Sequence, residues 1–303
     1  MIEKIAYPGL GEAYKLTDGR LEAIITAAVG PRIIRLGFVG GPNEFAELPR
    51  HSMPTTNGEW RLYGGHRFWH SPESNPRSYY PDNDPVDVEV GCNYVEARQP
   101  VEPPTGMRKT LRITVCDGFF DVDHVLANEG PWPVEAAPWA ISVMAPGGVA
   151  LLPQAMARDP ANLLPNRLLS IWPYTDLRDA RLRPGADLIR LYQDRSATAP
   201  IKIGINNDRG WAAYANGGRL FTKRFTLDPS GVYPDFGCTV ESYTNADMLE
   251  LESLGPLVLL EPGDATYHTE RWYLTEAECL PLDDEEALMV ELTACVASAG
   301  ELE

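Results

Sequence analysis

Hydrophobic residues in this chain alternate with polar ones far more often than they recur at helical spacing. Phe120, Val122, His124 and Leu126 fall on every second position, so they share one face of a predicted strand. Residues 107–115 precede it across Cys116-Asp117-Gly118, and together they read as a hairpin. Residues 21–26 and 33–38, split by Gly30-Pro31, predict a second strand pair, and 211–215 with 220–225 across Asn216-Gly217-Gly218 a third. Residues 139–144 and 149–152, separated by Pro146-Gly147-Gly148, read as a fourth hairpin. Further strands are expected at 86–90, 188–193, 201–205, 257–260 and 267–274. On the last of these His268, Glu270 and Trp272 project one way, and Tyr267, Thr269, Arg271 and Tyr273 the other. Helical spacing is confined to two places. Leu163, Leu164, Leu168, Leu169 and Ile171, within 159–179, predict an amphipathic turn or two that Trp172-Pro173 ends. Leu288, Leu292, Cys295 and Ala299, behind the acidic run 283–286, predict a short helix before Gly300 that packs on the outside of the strands.

So many strands with so little helix between them exclude parallel β-α-β units and predict an all-β fold, one large antiparallel sandwich. With no internal repeat or long linker, residues 1–303 are expected to form a single domain. The 27 Pro and 26 Gly suit frequent turns between short strands. A net charge of −17 opposes nucleic acid and anionic membranes, so the expected partner is a small molecule, either neutral or held in a locally basic pocket. Five cysteines, far apart and without a C-x-x-C pair, argue for a reducing compartment and against a zinc knuckle. The first residues lack the apolar core of a signal peptide, and no run of about 18 apolar residues occurs, so a cytoplasmic location is expected. Neither G-x-x-x-x-G-K-[ST], nor G-x-G-x-x-G after a strand, nor G-x-S-x-G is present, and no cofactor is expected.

Two stretches carry candidate chemistry. In 241–252 an extended strand places Leu249 and Leu251 on one side and Glu250 and Glu252 on the other, and the turn 244–247 brings Glu241 and Tyr243 alongside. Carboxylates held that close raise at least one pKa, which suits general acid or base work; the alternative is an acidic, half-solvated strand face. Three carboxylates would also suit a hard cation, but no Asp-x-Asp-x-Asp-Gly loop accompanies them and no metal is expected. The second stretch, 59–73, packs two His, two Arg, two Trp and the pair Gly64-Gly65 into fifteen residues. Paired glycines permit a sharp turn or close approach to a ligand, while Arg67 and Trp69 can hydrogen-bond to and stack on a polar guest. His66 joins these candidates. His124 does too, although an imidazole among apolar neighbours also reads as a hydrogen-bonded core residue.

Three patterns resemble the galactose mutarotase-like superfamily. Leu62-Tyr63-Gly64-Gly65-His66-Arg67-Phe68-Trp69 is similar to the Leu-His-Gly-Gly segment of aldose 1-epimerases; the stretch from Phe120 through His124, Asn128 and Gly130 towards Trp139 is similar to their central strands. Leu249-Glu250-Leu251-Glu252, followed by Leu260-Glu261-Pro262-Gly263, resembles the region of their general-base glutamate. The likeness spans about residues 20–275 and implies a very large two-sheet β-sandwich, a supersandwich, acting on a sugar. It implies Glu250 or Glu252 as base; because hemiacetal opening pairs a carboxylate base with an imidazole acid, His66 or His124 is then the candidate acid, with Arg67, Trp69, Glu241 and Tyr243 as candidates to hold the substrate. Tyr63 stands where those enzymes have the His of Leu-His-Gly-Gly, and Trp139 where they carry a second His. An aldose epimerase is therefore expected, with a non-catalytic sugar-binding protein of the same fold as the alternative.

Overall fold

Alternation in the sequence becomes alternation in burial. The computed structural model describes residues 1–155, 161 and 163–298, and its strands form two large antiparallel sheets. The first runs in the order β1 (Ile2–Tyr7), β2 (Gly11–Thr17), β3 (Leu21–Thr26), β4 (Arg32–Phe38), β6 (Gly58–Ser71), β11 (Val134–Met144), β20 (Leu249–Leu254), β19 (Val240–Thr244), β16 (Ile201–Ile205) and β13 (Leu169–Ile171). Two more strands attach to it, β5 (Glu47–Thr55) on β6 and β21 (Val258–Leu260) on β11. The second runs β14 (Leu182–Pro184), β15 (Leu188–Tyr192), β12 (Val149–Pro153), β17 (Trp211–Asn216), β18 (Arg219–Phe225), β22 (Ala265–Glu276), β10 (Phe120–Asn128), β9 (Met107–Val115), β8 (Tyr94–Arg98) and β7 (Asp87–Val90).

The main core lies between the sheets and joins Leu249, Leu251, Met144 and Phe68 of the first to Phe120, Val122, Leu126 and Trp272 of the second. A smaller apolar cluster covers the outer face of the second sheet, where α1 (Glu285–Ser298) sets Leu288 and Leu292 against Leu151, Leu188 and Trp211. The expected terminal helix is thus present, packed outside the strands. A third cluster, of Trp60, Trp69, Trp139 and Met248, lies on the outer face of the first sheet. Among the described residues no helix is long and apolar enough to cross a membrane.

Two local expectations fail. The strands read as a hairpin at 139–144 and 149–152 do not pair: β11 belongs to the first sheet and β12 to the second, so the Pro146-Gly147-Gly148 turn carries the chain across the sandwich. The amphipathic turn expected in 159–179 does not form among the described residues, and Asp159, Pro160 and Asn162 lie outside them. Leu163 and Leu164 are 91% and 76% exposed, and Leu169 and Ile171 stand in the short edge strand β13. Spacing alone did not distinguish apolar residues on a loop from a helical stripe.

The Gly64-Gly65 pair bends β6 without breaking it. Tyr63, Gly64 and Gly65 all have positive φ, at 55°, 94° and 71°, which turns the first half of the strand onto β5 and the second half onto β4 and β11. The close approach these glycines permit is to neighbouring strands: a Cβ on Gly64 would lie 1.9 Å from the Ala46 carbonyl oxygen. Gly64→Ala is expected to destabilise the protein by at least about 1–3 kcal/mol, the cost of an overpacked site, read as a lower urea midpoint.

Candidate functional site

Pairing across the first sheet builds the site. On β20 Leu249 and Leu251 face the core, which leaves Glu250 and Glu252 on the outer face as the sequence pattern requires. Antiparallel register sets Tyr243 beside Glu250 and Glu241 beside Glu252 on β19, and Lys202 of β16 beside Tyr243. From the other side, β11 supplies Trp139 and β6 supplies Arg67 and Trp69. These side chains line or underlie a cleft of about 510 Å³, whose wall includes Trp60, Arg67, Trp69, Tyr79, Trp139, Tyr174, Lys202, Tyr243 and Glu250.

Two ion-paired groups organise it. Arg67, 4% exposed, donates from Nη2 to Glu250 Oε1 at 2.8 Å, and its guanidinium lies 4.6 Å from the centre of the Trp69 ring and 5.9 Å from that of Trp60. Its Nε and Nη1 are buried without a hydrogen-bond partner. Lys202 Nζ lies 2.7 Å from Glu241 Oε2 and 3.1 Å from Glu252 Oε2, between the rings of Trp139 and Trp172. Trp139 Nε1 also donates to Glu252 Oε2, at 2.7 Å.

Burial drives the Glu241 carboxyl well above its ordinary range, and the neighbouring Glu252 adds to the rise while Lys202 opposes it. Glu252 is raised for the same first reason. Burial works against charge on Lys202 as well, but Glu241 and Glu252 outweigh it and hold the ammonium well above 10.5. One ammonium faces two buried carboxyls, which therefore titrate as a coupled pair. Lys202 therefore supplies the cation that a crowd of carboxylates demands, and Glu250 is the member of the trio that lines the cleft.

The imidazoles expected opposite the glutamates are elsewhere. His66 alternates with Arg67 on β6 and so faces the other way, into the interior, where it meets His124. Both are fully buried, and their Nε2 atoms lie 2.7 Å apart. His124 Nδ1 sits 2.8 Å from the His268 carbonyl oxygen, which can only accept, so His124 carries its proton on Nδ1 and accepts at Nε2. His66 must then donate from Nε2 and accept at Nδ1 from Ser142 Oγ, 2.9 Å away. A parallel chain runs from His268 Nε2 to Ser253 Oγ at 2.7 Å and from Ser253 Oγ to Glu270 Oε1 at 2.5 Å. Trp272 Nε1 donates to the other oxygen of Glu270, and Lys223 Nζ lies 2.8 Å from Oε1. His66, His124 and Glu270 bring three ligand-type atoms within 4.8 Å of one another, but Lys223 already provides the positive charge there, and both Nε2 atoms are satisfied by each other.

Of the residues the sequence singled out, Arg67, Trp69, Tyr243 and Glu250 line one cleft, Glu241 and Glu252 are buried against Lys202 without lining it, and His66 and His124 lie behind the sheet. Sequence reading offered Lys202 as an available cation without placing it, and missed Trp60, Tyr79 and Tyr174, and also His51, which lines the cleft with Nε2 3.1 Å from Asp247 Oδ2. Alternation about Ile201 and Ile203 could have marked Lys202 as facing away from the core. For His51, on the irregularly paired β5, no local pattern existed.

No protein-family model matches the chain, and no curated protein does. Solved structures do. A presumptive aldose 1-epimerase from Klebsiella pneumoniae superposes with a TM-score of 0.62 at 12% identity, covering 100% of this chain and 88% of its own. A presumptive mutarotase from Salmonella typhimurium gives 0.60 at 10% identity, covering 91% and 94%, and a galactose mutarotase-like protein from Lactobacillus casei gives 0.52 at 12%, covering 87% and 100%. At such identities the likeness concerns architecture, and by its architecture this chain is a galactose mutarotase-like two-sheet β-sandwich.

Proposed function

We propose that the cleft on the first sheet binds a carbohydrate. The observation that carries this reading is the Arg67–Glu250 pair set among Trp60, Trp69, Tyr79 and Trp139. Aromatic faces suit the C–H side of a pyranose, the guanidinium of Arg67 suits hydroxyl oxygens, and Glu250 accepts from hydroxyl protons. Structural neighbours described as epimerases and mutarotases support a sugar as the ligand.

A second reading, aldose 1-epimerisation, draws support from His51. Opening a hemiacetal needs a base at the anomeric hydroxyl and an acid at the ring oxygen; Glu250 and His51 are a carboxylate and an imidazole that line the same cleft. The fully buried His66 and His124 have their ring nitrogens committed to the network between the sheets, so this reading assigns the acid to His51 in their place. Glu252 stays with Lys202 and Trp139 as support for the floor.

Proton NMR of a freshly dissolved single anomer, with and without protein, separates the two readings. Sugar binding that shifts tryptophan fluorescence, without faster anomer exchange, leaves a binding protein. Faster exchange that both Glu250→Gln and His51→Ala abolish establishes the epimerase. If no aldose binds and none is interconverted, both readings are wrong.

A further inference from the structure

Tyr174 is the cleft residue that folding does not explain. It sits on the loop after β13, 46% exposed, and presents its ring at the cleft while packing edge-on against Tyr243 at 6.4 Å. An aromatic ring left so exposed contributes little to the core, yet here it extends a ligand-sized cavity. The cleft therefore has two aromatic ends. One is the Trp60, Trp69, Tyr79 and Trp139 group around Arg67, whose rings contact one another at 5.0–5.8 Å. The other is Tyr174 with Tyr243, beside Lys202.

The charges say what kind of ligand would span them. Arg67 is already paired with Glu250, and Lys202 with Glu241 and Glu252, while His51 at the cleft wall is paired with Asp247. The groups that line the cleft are of both kinds, cations at Arg50, Arg67 and Lys202 and an acceptor at Glu250. Hydroxyl groups, which both donate and accept, suit a cleft lined by cations (Arg50, Arg67, Lys202) and the carboxylate of Glu250 together.

Resting on the carbohydrate reading above, we propose that the cleft is a two-subsite site for an uncharged oligosaccharide, one sugar unit over the Arg67–Glu250 pair and the next against Tyr174 and Tyr243. The test titrates the whole protein, followed by tryptophan fluorescence and calorimetry, with glucose and galactose, with maltose, cellobiose, lactose and melibiose, and with glucose 6-phosphate and glucuronate. At least one disaccharide is expected to bind about tenfold more tightly than the better monosaccharide, the anionic sugars more weakly than either. In Tyr174→Ala that advantage is expected to collapse to about twofold or less, while Tyr174→Phe, which keeps the ring, retains it. Monosaccharide binding as tight as that of every disaccharide, an undiminished advantage in Tyr174→Ala, or preferred binding of an anionic sugar would each overturn the two-subsite proposal and leave the carbohydrate reading standing. Failure of all eight sugars to bind would take down both.

Discussion

Lys223→Met is expected to destabilise the fold by about 3–5 kcal/mol, because it strips a fully buried carboxylate of its ammonium partner without giving it water. Glu270 is completely buried, with Lys223 Nζ 2.8 Å away, and it ties together Ser253, Trp272 and, through Ser253, His268. Glu270→Gln is expected to cost a similar amount by leaving Lys223 unpaired. The double variant Lys223→Met/Glu270→Gln should recover much of the loss, since no uncompensated charge then stays inside; urea unfolding of the four proteins closes the cycle. Additive losses in the double variant would mean that the pair is not coupled.

The same network makes the protein sensitive to acid. Burial holds His66 and His124 below 6.5 and His268 down to about 3, so the folded state refuses protons that the unfolded chain accepts. Depressed folded values mean that this stability is complete above the unfolded pKa of 6.5 and drains away as the pH falls below it. Each imidazole that stays neutral contributes up to about 1.4 kcal/mol per pH unit once the unfolded chain is fully protonated. Burial alone would raise Glu270, but Lys223 and the three imidazoles outweigh it and hold the carboxyl well below 4.5, adding a further loss at lower pH. Glu241 runs the other way, since its raised value favours folding at low pH and ceases to do so as the pH rises. Glu252 and Glu44 are raised likewise, and His70 joins the depressed imidazoles, so four imidazoles oppose three such carboxyls and the net change is an acid loss. Chemical denaturation between pH 7 and pH 5 should show a steep fall, and a flat profile would contradict buried neutral imidazoles.

Arg67→Met is expected to weaken sugar binding by about 2–3 kcal/mol, on the order of 100-fold in Kd, because it deletes a cation that lines the cleft and leaves Glu250 without its partner. Arg67→Lys keeps the charge but not the planar fork that reaches Glu250 while lying against Trp69, so it should recover only part of the loss. Fluorescence titration reads the affinity, and the urea midpoint of each variant tells a lost contact from a lost fold. Unaltered affinity in a stable Arg67→Met protein would show that sugars bind elsewhere.

Much of this molecule was legible before any coordinates. Period-two alternation located β9, β10, β17, β18 and β22 and put Glu250 opposite Leu249 and Leu251, because the pleat is a local property that every strand expresses. The glutamate hairpin was readable for the same reason: Asn245, Ala246 and Asp247 demand a turn, and the turn dictates the register. Strands β1, β2 and β5 went unread; their surfaces are half polar, and they pair at or near the margin of the sheet.

Which sheet a strand joins was not legible. Pro146-Gly147-Gly148 looks like a hairpin turn whether the next strand folds back or crosses to the opposite sheet, and only the long-range pairing of β12 with β15 and β17 decides. The histidines follow the same logic. Alternation said that His66 and Arg67 face opposite ways, but not which face closes on the second sheet and which opens to a ligand. Sequence by itself determined an antiparallel β architecture, an acidic strand pair and an arginine-aromatic segment, all properties written into neighbouring residues. Tertiary structure alone decided that Arg67, Glu250 and Lys202 share a cleft while His66, His124 and Glu270 are sealed between sheets. Those placements arise from pairings between strands tens to hundreds of residues apart, and burial against the second sheet then turns one face of the same strand into core and the other into site.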